Sequence, residues 1–128
     1  MPSTRLGLAA ALLLAASAPA SALDRTVKSG AEQMIGIHGT ISNQTCESGG
    51  GLPTLTERPA HGSVEFRSQM FRVTNTSSQC HGRPYRGYGI YYRSHPGFRG
   101  IDRAVISTFV FNGRTDVRTD HTVNIRVQ

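Results

Sequence analysis

YGIYYRSHPGFRGIDRAVISTFVF, residues Tyr88 to Phe111, decides the fold. In its first half Tyr88, Ile90 and Tyr92 alternate with Gly89, Tyr91 and Arg93. Successive side chains of an extended chain point to opposite faces, so this alternation predicts a strand and not a helix. The second half, Arg103 to Phe111, is dense in β-branched and aromatic residues, the composition of a second strand. Ala104, Ile106, Thr108 and Val110 fall on one of its faces and Val105, Ser107, Phe109 and Phe111 on the other. Apolar groups on both faces predict a central or covered strand. Between the two runs, Pro96 presets φ, Gly97 and Gly100 accept positive φ, and Asp102 can bond nearby backbone N–H groups. Phe98, between the glycines, is expected to tuck into the end of the core.

Working outward, Val64 and Phe66 alternate with outward Glu65 and Arg67, and Phe71 and Val73 continue the pattern beyond Ser68-Gln69. That segment reads either as a hairpin or as one bulged strand. Asn112-Gly113 is a strong hairpin signal, and His121 to Val127 reads as the closing strand. Upstream, Ile35, Ile37, Gly39 and Ile41 share one phase of a first strand, with Gly39 marking a bulge or a close backbone approach. Leu52 to Arg58 reads as a short edge strand, kept from a central place by Pro53 and Pro59. Asn75 to Gly87 is the longest expected loop. No helical periodicity occurs after residue 22.

The order Gly-Ile-Tyr-Tyr followed by Pro-Gly-Phe-Arg-Gly-Ile-Asp is similar to the Y-x-P-x-x-G-F-x-G-x-D turn of bacterial immunoglobulin-like and cadherin-like repeat domains. Pro59 to Val64 resembles the P-x-x-G-x-V segment of those domains, and Val123, Ile125 and Val127 resemble their closing V-x-I-x-V strand. The resemblance spans roughly Pro59 to Val127. It implies an all-β, immunoglobulin-like antiparallel sandwich of about seven strands, with a spacer or adhesive role and no catalytic residues.

Arg5, the apolar stretch Leu6 to Ala16 and the A-x-A pattern Ala20-Ser21-Ala22 read together as a secretory signal peptide over residues 1–22. Cleavage after Ala22 is the first reading, with Ala18 and Ala20 as alternatives. Residues 23–32 are then expected to form a flexible lead-in, and residues 33–128 one sandwich domain, a size suited to a single core. The rest of the chain has no apolar stretch long enough for a transmembrane segment, so a soluble secreted or periplasmic product is expected. Cys46 and Cys80 are the only cysteines. In an exported chain such a pair is expected to form a disulfide.

The formal charge is +6; without Arg5 the 14 basic residues become 13 against eight acidic ones, leaving +5. All the basic residues but Lys28 are arginine, whose fork suits carboxylate, phosphate and sulfate groups. No G-x-S-x-G elbow places a nucleophile. No pair among His38, His61, His81, His95 and His121 has metal-ligand spacing, and Asp102, Asp116 and Asp120 form no calcium loop. The triple glycine Gly49 to Gly51 lacks the Lys-Ser/Thr ending of a phosphate loop. The expectation is therefore a protein that is not an enzyme, with no catalytic residues, metal or cofactor.

Arg83, Tyr85, Arg86, Tyr91, Arg93 and Arg99 are the candidate ligand-binding residues, because interleaved aromatic and cationic groups are enriched in binding patches. Pro96, Gly97, Phe98, Gly100 and Asp102 are assigned to a structural turn. The function expected is a structural or protein-binding module at the cell envelope or outside the cell. The alternative is a secreted binder of polyanions, acidic polysaccharide or lipid head groups, through an Arg/Tyr-rich face. The expected partner is a protein or an acidic glycan, and not intracellular nucleic acid.

Overall fold

A computed structural model describes residues 22–128. The signal peptide expected over residues 1–22 lies, but for Ala22, outside the described residues. The strands are β1 (Leu23–Val27), β2 (Gln33–His38), β3 (Thr40–Ile41), β4 (Ser48–Gly49), β5 (Thr54–Glu57), β6 (Gly62–Arg72), β7 (Pro84–Ser94), β8 (Gly100–Phe111) and β9 (Asp116–Val127). They form one sheet in the order β1-β9-β8-β5, a second in the order β2-β7-β6, and a small β3-β4 ribbon. The described residues are all-β, with the seven longer strands divided between the two main sheets.

The inner faces of those sheets meet in one core. Ile35, Ile90 and Tyr92 come from the three-stranded sheet, and Val27, Ile106, Val123, Ile125 and Val127 from the four-stranded one, with Leu55, Val64, Phe66 and Phe98 packed around them. Tyr92 and Ile125 are fully buried. The alternation predicted for Tyr88 to Arg93 thus places Ile90 and Tyr92 inside, and Tyr91 and Arg93 outside. On β8 the even residues Ala104, Ile106 and Thr108 face the core. Ser107, on the opposite face, is also covered, because it bonds Thr56 Oγ1 at 2.5 Å and donates to Asp120 Oδ1 at 2.6 Å. β8 is central, between β9 and β5, as apolar groups on both faces required.

Three expectations need correction. The lead-in at residues 23–32 is not loose: Leu23 to Val27 run parallel to Val123 to Val127 as β1. The alternation in five residues was too short to read, and the strand exists because β9 offers it a ladder of backbone partners. Ile35 and Ile37 do not share a face. A register shift between Met34 and Gly36 turns Ile35 into the core at 5 % exposure and leaves Ile37 outside at 49 %. A bulge of this kind reverses the phase of everything beyond it, and it falls at Gly36 and not at Gly39, the glycine read as its mark. The segment Gly62 to Arg72 is one strand without a bulge: it pairs with β7 continuously from Gly62↔Ser94 to Arg72↔Pro84, and Ser68 and Gln69 lie inside that ladder.

The turns follow their chemistry. Asn112 Oδ1 accepts from the N–H groups of Arg114 and Thr115 at 2.9 and 3.0 Å, and Gly113 takes φ 94°. In the turn between β7 and β8, the Phe98 ring stacks on His61 with centroids 4.1 Å apart. Asp102 is buried at 3 % exposure. Its carboxylate accepts from Ala60 N at 3.0 Å, His61 N at 3.2 Å and the Tyr92 hydroxyl at 2.7 Å. One carboxylate therefore ties the segment preceding β6, the middle of the core and the start of β8 together.

Cys46 and Cys80 are bonded. The bridge joins the loop between β3 and β4 to the β6–β7 connection. Around it Ser78 Oγ donates to Asn43 Oδ1 at 3.2 Å and Gln79 Nε2 donates to the Asn43 carbonyl.

Candidate functional site

The residues proposed from sequence do not form one surface. Tyr85, Tyr91 and Arg93 share the outer face of the β2-β7-β6 sheet, since they are spaced by even steps along β7. Arg86 has the opposite phase; its N–H donates to Ser48 Oγ at 2.8 Å and its guanidinium to Ser68 Oγ at 3.2 Å. Arg83 precedes β7, where its N–H donates to the Cys80 carbonyl and its carbonyl accepts from Val73 N. Arg99 stands in the turn after β7. Arg83 and Arg99 are thus at opposite ends of a strand of 11 residues, roughly 35 Å at about 3.3 Å per residue.

What does assemble is the outer face of that sheet, built around Tyr91. The Tyr91 ring lies back along its own strand over Gly89. A Cβ added at Gly89 would stand 2.7 Å from Tyr91 Cε2 and 2.9 Å from Gln69 Oε1, so only glycine admits the ring. The Tyr91 hydroxyl donates to Gln69 Oε1 at 2.8 Å. The Arg67 guanidinium covers the ring with its Cζ 4.4 Å from the centroid, a cation–π contact. Arg67 in turn donates two bonds to Glu32, at 2.6 and 2.8 Å, and one to Glu65 at 2.7 Å. Arg93 lies 3.9 Å from Glu32. Further along the face, Phe71 and Tyr85 contact each other with centroids 5.8 Å apart. On β2, Met34 at 46 % and Ile37 at 49 % exposure present apolar side chains to solvent beside Tyr91 and Gly89.

The result is a flat patch with an immobilised aromatic centre, exposed aliphatic groups on one flank and two arginines matched by two glutamates. The Arg67 hydrogen bonds, with the charges of Arg67 and Arg93 behind them, hold Glu32 below the usual carboxylate range against the opposing effect of burial. The stability this contributes is present above the unfolded glutamate pKa of about 4.3 and is lost as pH falls below it. In a carboxyl NMR titration, Glu32 is expected to titrate below an ordinary glutamate. Arg67→Gln should return its midpoint to the ordinary range. An unchanged midpoint would show that the fork does not persist in solution.

Glu32, Arg67, Gln69, Met34, Ile37 and Phe71 were not among the candidate ligand-binding residues expected from sequence. Alternation alone sends Glu65 and Arg67 outward. The Gly89-x-Tyr91 spacing was the available sign that an aromatic ring lies over a glycine on the same face. Met34 and Ile37 needed the bulge. Among the described residues no three His, Cys, Asp or Glu side chains converge as a metal site, and no helix is long and apolar enough to cross a membrane. No family model, curated protein or solved structure matches this chain.

Proposed function

We propose that the chain is an exported, non-catalytic immunoglobulin-like module that binds a protein through the outer face of β2, β7 and β6. Two observations support the immunoglobulin-like reading. The second, fifth and fourth long strands form one sheet, and the third, sixth and seventh lie together in the other, the division of an immunoglobulin constant domain except for the first strand. That first strand, β1, pairs in parallel with the last. The pattern of residues 1–22 and the Cys46–Cys80 bond support export to an oxidising compartment.

The observation that carries the binding reading is the exposure of Met34 and Ile37 next to a Tyr91 ring already fixed by Gln69 and Arg67. Rigid aromatic and exposed aliphatic groups at the centre of a patch, with paired charges at its rim, suit a protein surface. Because its side chains are ordered beforehand, such a patch loses little entropy on binding. A polyanion site needs uncompensated positive charge, whereas Arg67 and Arg93 share Glu32 and Glu65, and Arg83, Arg86 and Arg99 are dispersed. The reading is thus of a protein partner, not an acidic glycan.

A photo-crosslinking residue at Ile37, in the protein produced in its own cells, tests this against the same residue at Val110, which is exposed on the β8–β9 hairpin of the other sheet. The expected result is one discrete protein adduct at Ile37, insensitive to salt, absent at Val110 and lost with Tyr91→Ala. Equal adducts at both positions would overturn the proposal. So would salt-sensitive retention on heparin that depends on Arg83 and Arg86 with no adduct at Ile37.

A further inference from the structure

β1 covers the edge of β9 only from Val123 to Val127. Beside it, Arg25 Nε donates to the Ile35 carbonyl at 2.7 Å and bridges the two sheets. Past that bridge the sheets part around a cleft of about 190 Å³. Leu23 stands at its edge, and Ile35, Ile90, Ile106 and Val123 line its walls. His38, Thr108 and His121 make one end polar. Thr108 Oγ1 and His121 Nε2 are hydrogen-bonded at 3.0 Å. His38 Nε2 is buried and has no hydrogen-bond partner among the described residues; Gly50, just after β4, lies beside it, since a Cβ there would stand 3.3 Å away.

We propose that this cleft binds a small one-ring aromatic alcohol of the phenol class, with the ring against the isoleucines and the hydroxyl joined to the Thr108–His121 pair. Volume sets the size of the ligand: an engineered apolar cavity of about 150 Å³ in another protein takes benzene, so this one admits a single ring with one polar substituent. The walls set the body, because four aliphatic side chains offer no partner to a polar group. The polar end sets the head. A hydroxyl both donates and accepts, so it can enter the Thr108–His121 pair whichever of the two is the donor. Burial first, and then the nearby His121, lower the His38 pKa against a raising backbone contact with Phe109, so this end disfavours a charge. A neutral hydroxyl therefore suits this end better than a carboxylate. The protein-binding face lies on the other side of the three-stranded sheet, and Ile37 borders both it and the cleft.

The test is a titration of the disulfide-bonded protein with phenol, toluene and benzoate, followed by methyl NMR at Ile35, Ile90 and Ile106. Phenol is expected to give saturable shifts at these methyls and at His121, with toluene and benzoate weaker. Gly36→Leu should fill the cleft, since a Cβ there would stand 3.6 Å from Ile90 Cδ1, an ordinary contact. It should weaken phenol at least about tenfold. Thr108→Val should weaken phenol several-fold and leave toluene unchanged. Absence of saturable shifts, or phenol binding retained in a folded Gly36→Leu variant, would overturn the site. Equal binding of phenol and toluene, unaffected by Thr108→Val, would overturn recognition of the hydroxyl. If Gly36→Leu does not fold, Thr108→Val decides the matter alone.

Discussion

Replacing Cys46 and Cys80 together by serine is expected to lower the unfolding free energy by about 4 kcal/mol, the chain-entropy value for a loop of this length. The cysteines are 34 residues apart, and the bond denies the unfolded chain the conformations in which they separate. Small domains are stable by only about 5–15 kcal/mol. A loss of this size should lower the melting temperature by roughly 15–25 °C. Urea unfolding of the oxidised protein and of the double serine variant, compared at equal slope, measures it. A difference below about 1 kcal/mol would mean that the reduced, unfolded chain keeps structure that already holds the two positions near each other. The damage should also be local at first. The bridge and the bonds from Ser78 and Gln79 to Asn43 are what fasten the β3-β4 ribbon to the β6–β7 connection. Amide exchange at Ser42 to Gly51 should therefore rise before global unfolding does.

Asp102→Ala should cost a comparable amount, about 3–5 kcal/mol, because it takes the acceptor from a buried hydroxyl and from two part-buried backbone donors. The backbone N–H groups of Ala60 and His61 and the Tyr92 hydroxyl all lose their acceptor. Tyr92→Phe removes only one bond to the carboxylate and should cost less, about 1.5–3 kcal/mol. A double-mutant cycle separates the pair from the rest of the network. Losses near 1 kcal/mol for Asp102→Ala would show that water replaces the carboxylate. The pair also has a signature on the alkaline side. Burial first, and then the Asp102 carboxylate, push the Tyr92 phenol above its usual range. The folded protein therefore keeps a proton that the unfolded chain releases near pH 10. The associated stability is whole below that pH and falls as pH rises beyond it. Thermal melts from pH 9 to 11.5 should decline more steeply for the native chain than for Tyr92→Phe.

Asp102 illustrates how far the sequence reaches. Its place after Pro96, Gly97 and Gly100 marked it as a turn residue, because proline, glycine and aspartate act on their own backbone neighbourhood. That it accepts from Ala60, His61 and Tyr92 was not legible, since those groups arrive from other strands. Tyr91 is similar: alternation put it outside with Arg93, but its fixation depends on Arg67 and Gln69, far earlier in the chain, which the β6–β7 register sets opposite Gly89 and Gly87 on the same face.

The arginines show the limit most plainly. Arg83, Arg86, Arg93 and Arg99 are close along the chain and looked like one face, yet strand phase and strand length separate them. By itself, the sequence determined the class of structure, the strands around Tyr88 to Phe111, the Asn112-Gly113 hairpin and the availability of one cysteine pair. These follow from side-chain alternation, turn chemistry and composition, all of which act within a few residues. The tertiary structure alone decided that residues 23–27 form a strand, that Ile37 faces outward, and that His38 and His121 line one cleft. Those outcomes depend on register, on a bulge and on the meeting of two sheets, where the partners are distant in sequence and only the packed chain brings them together.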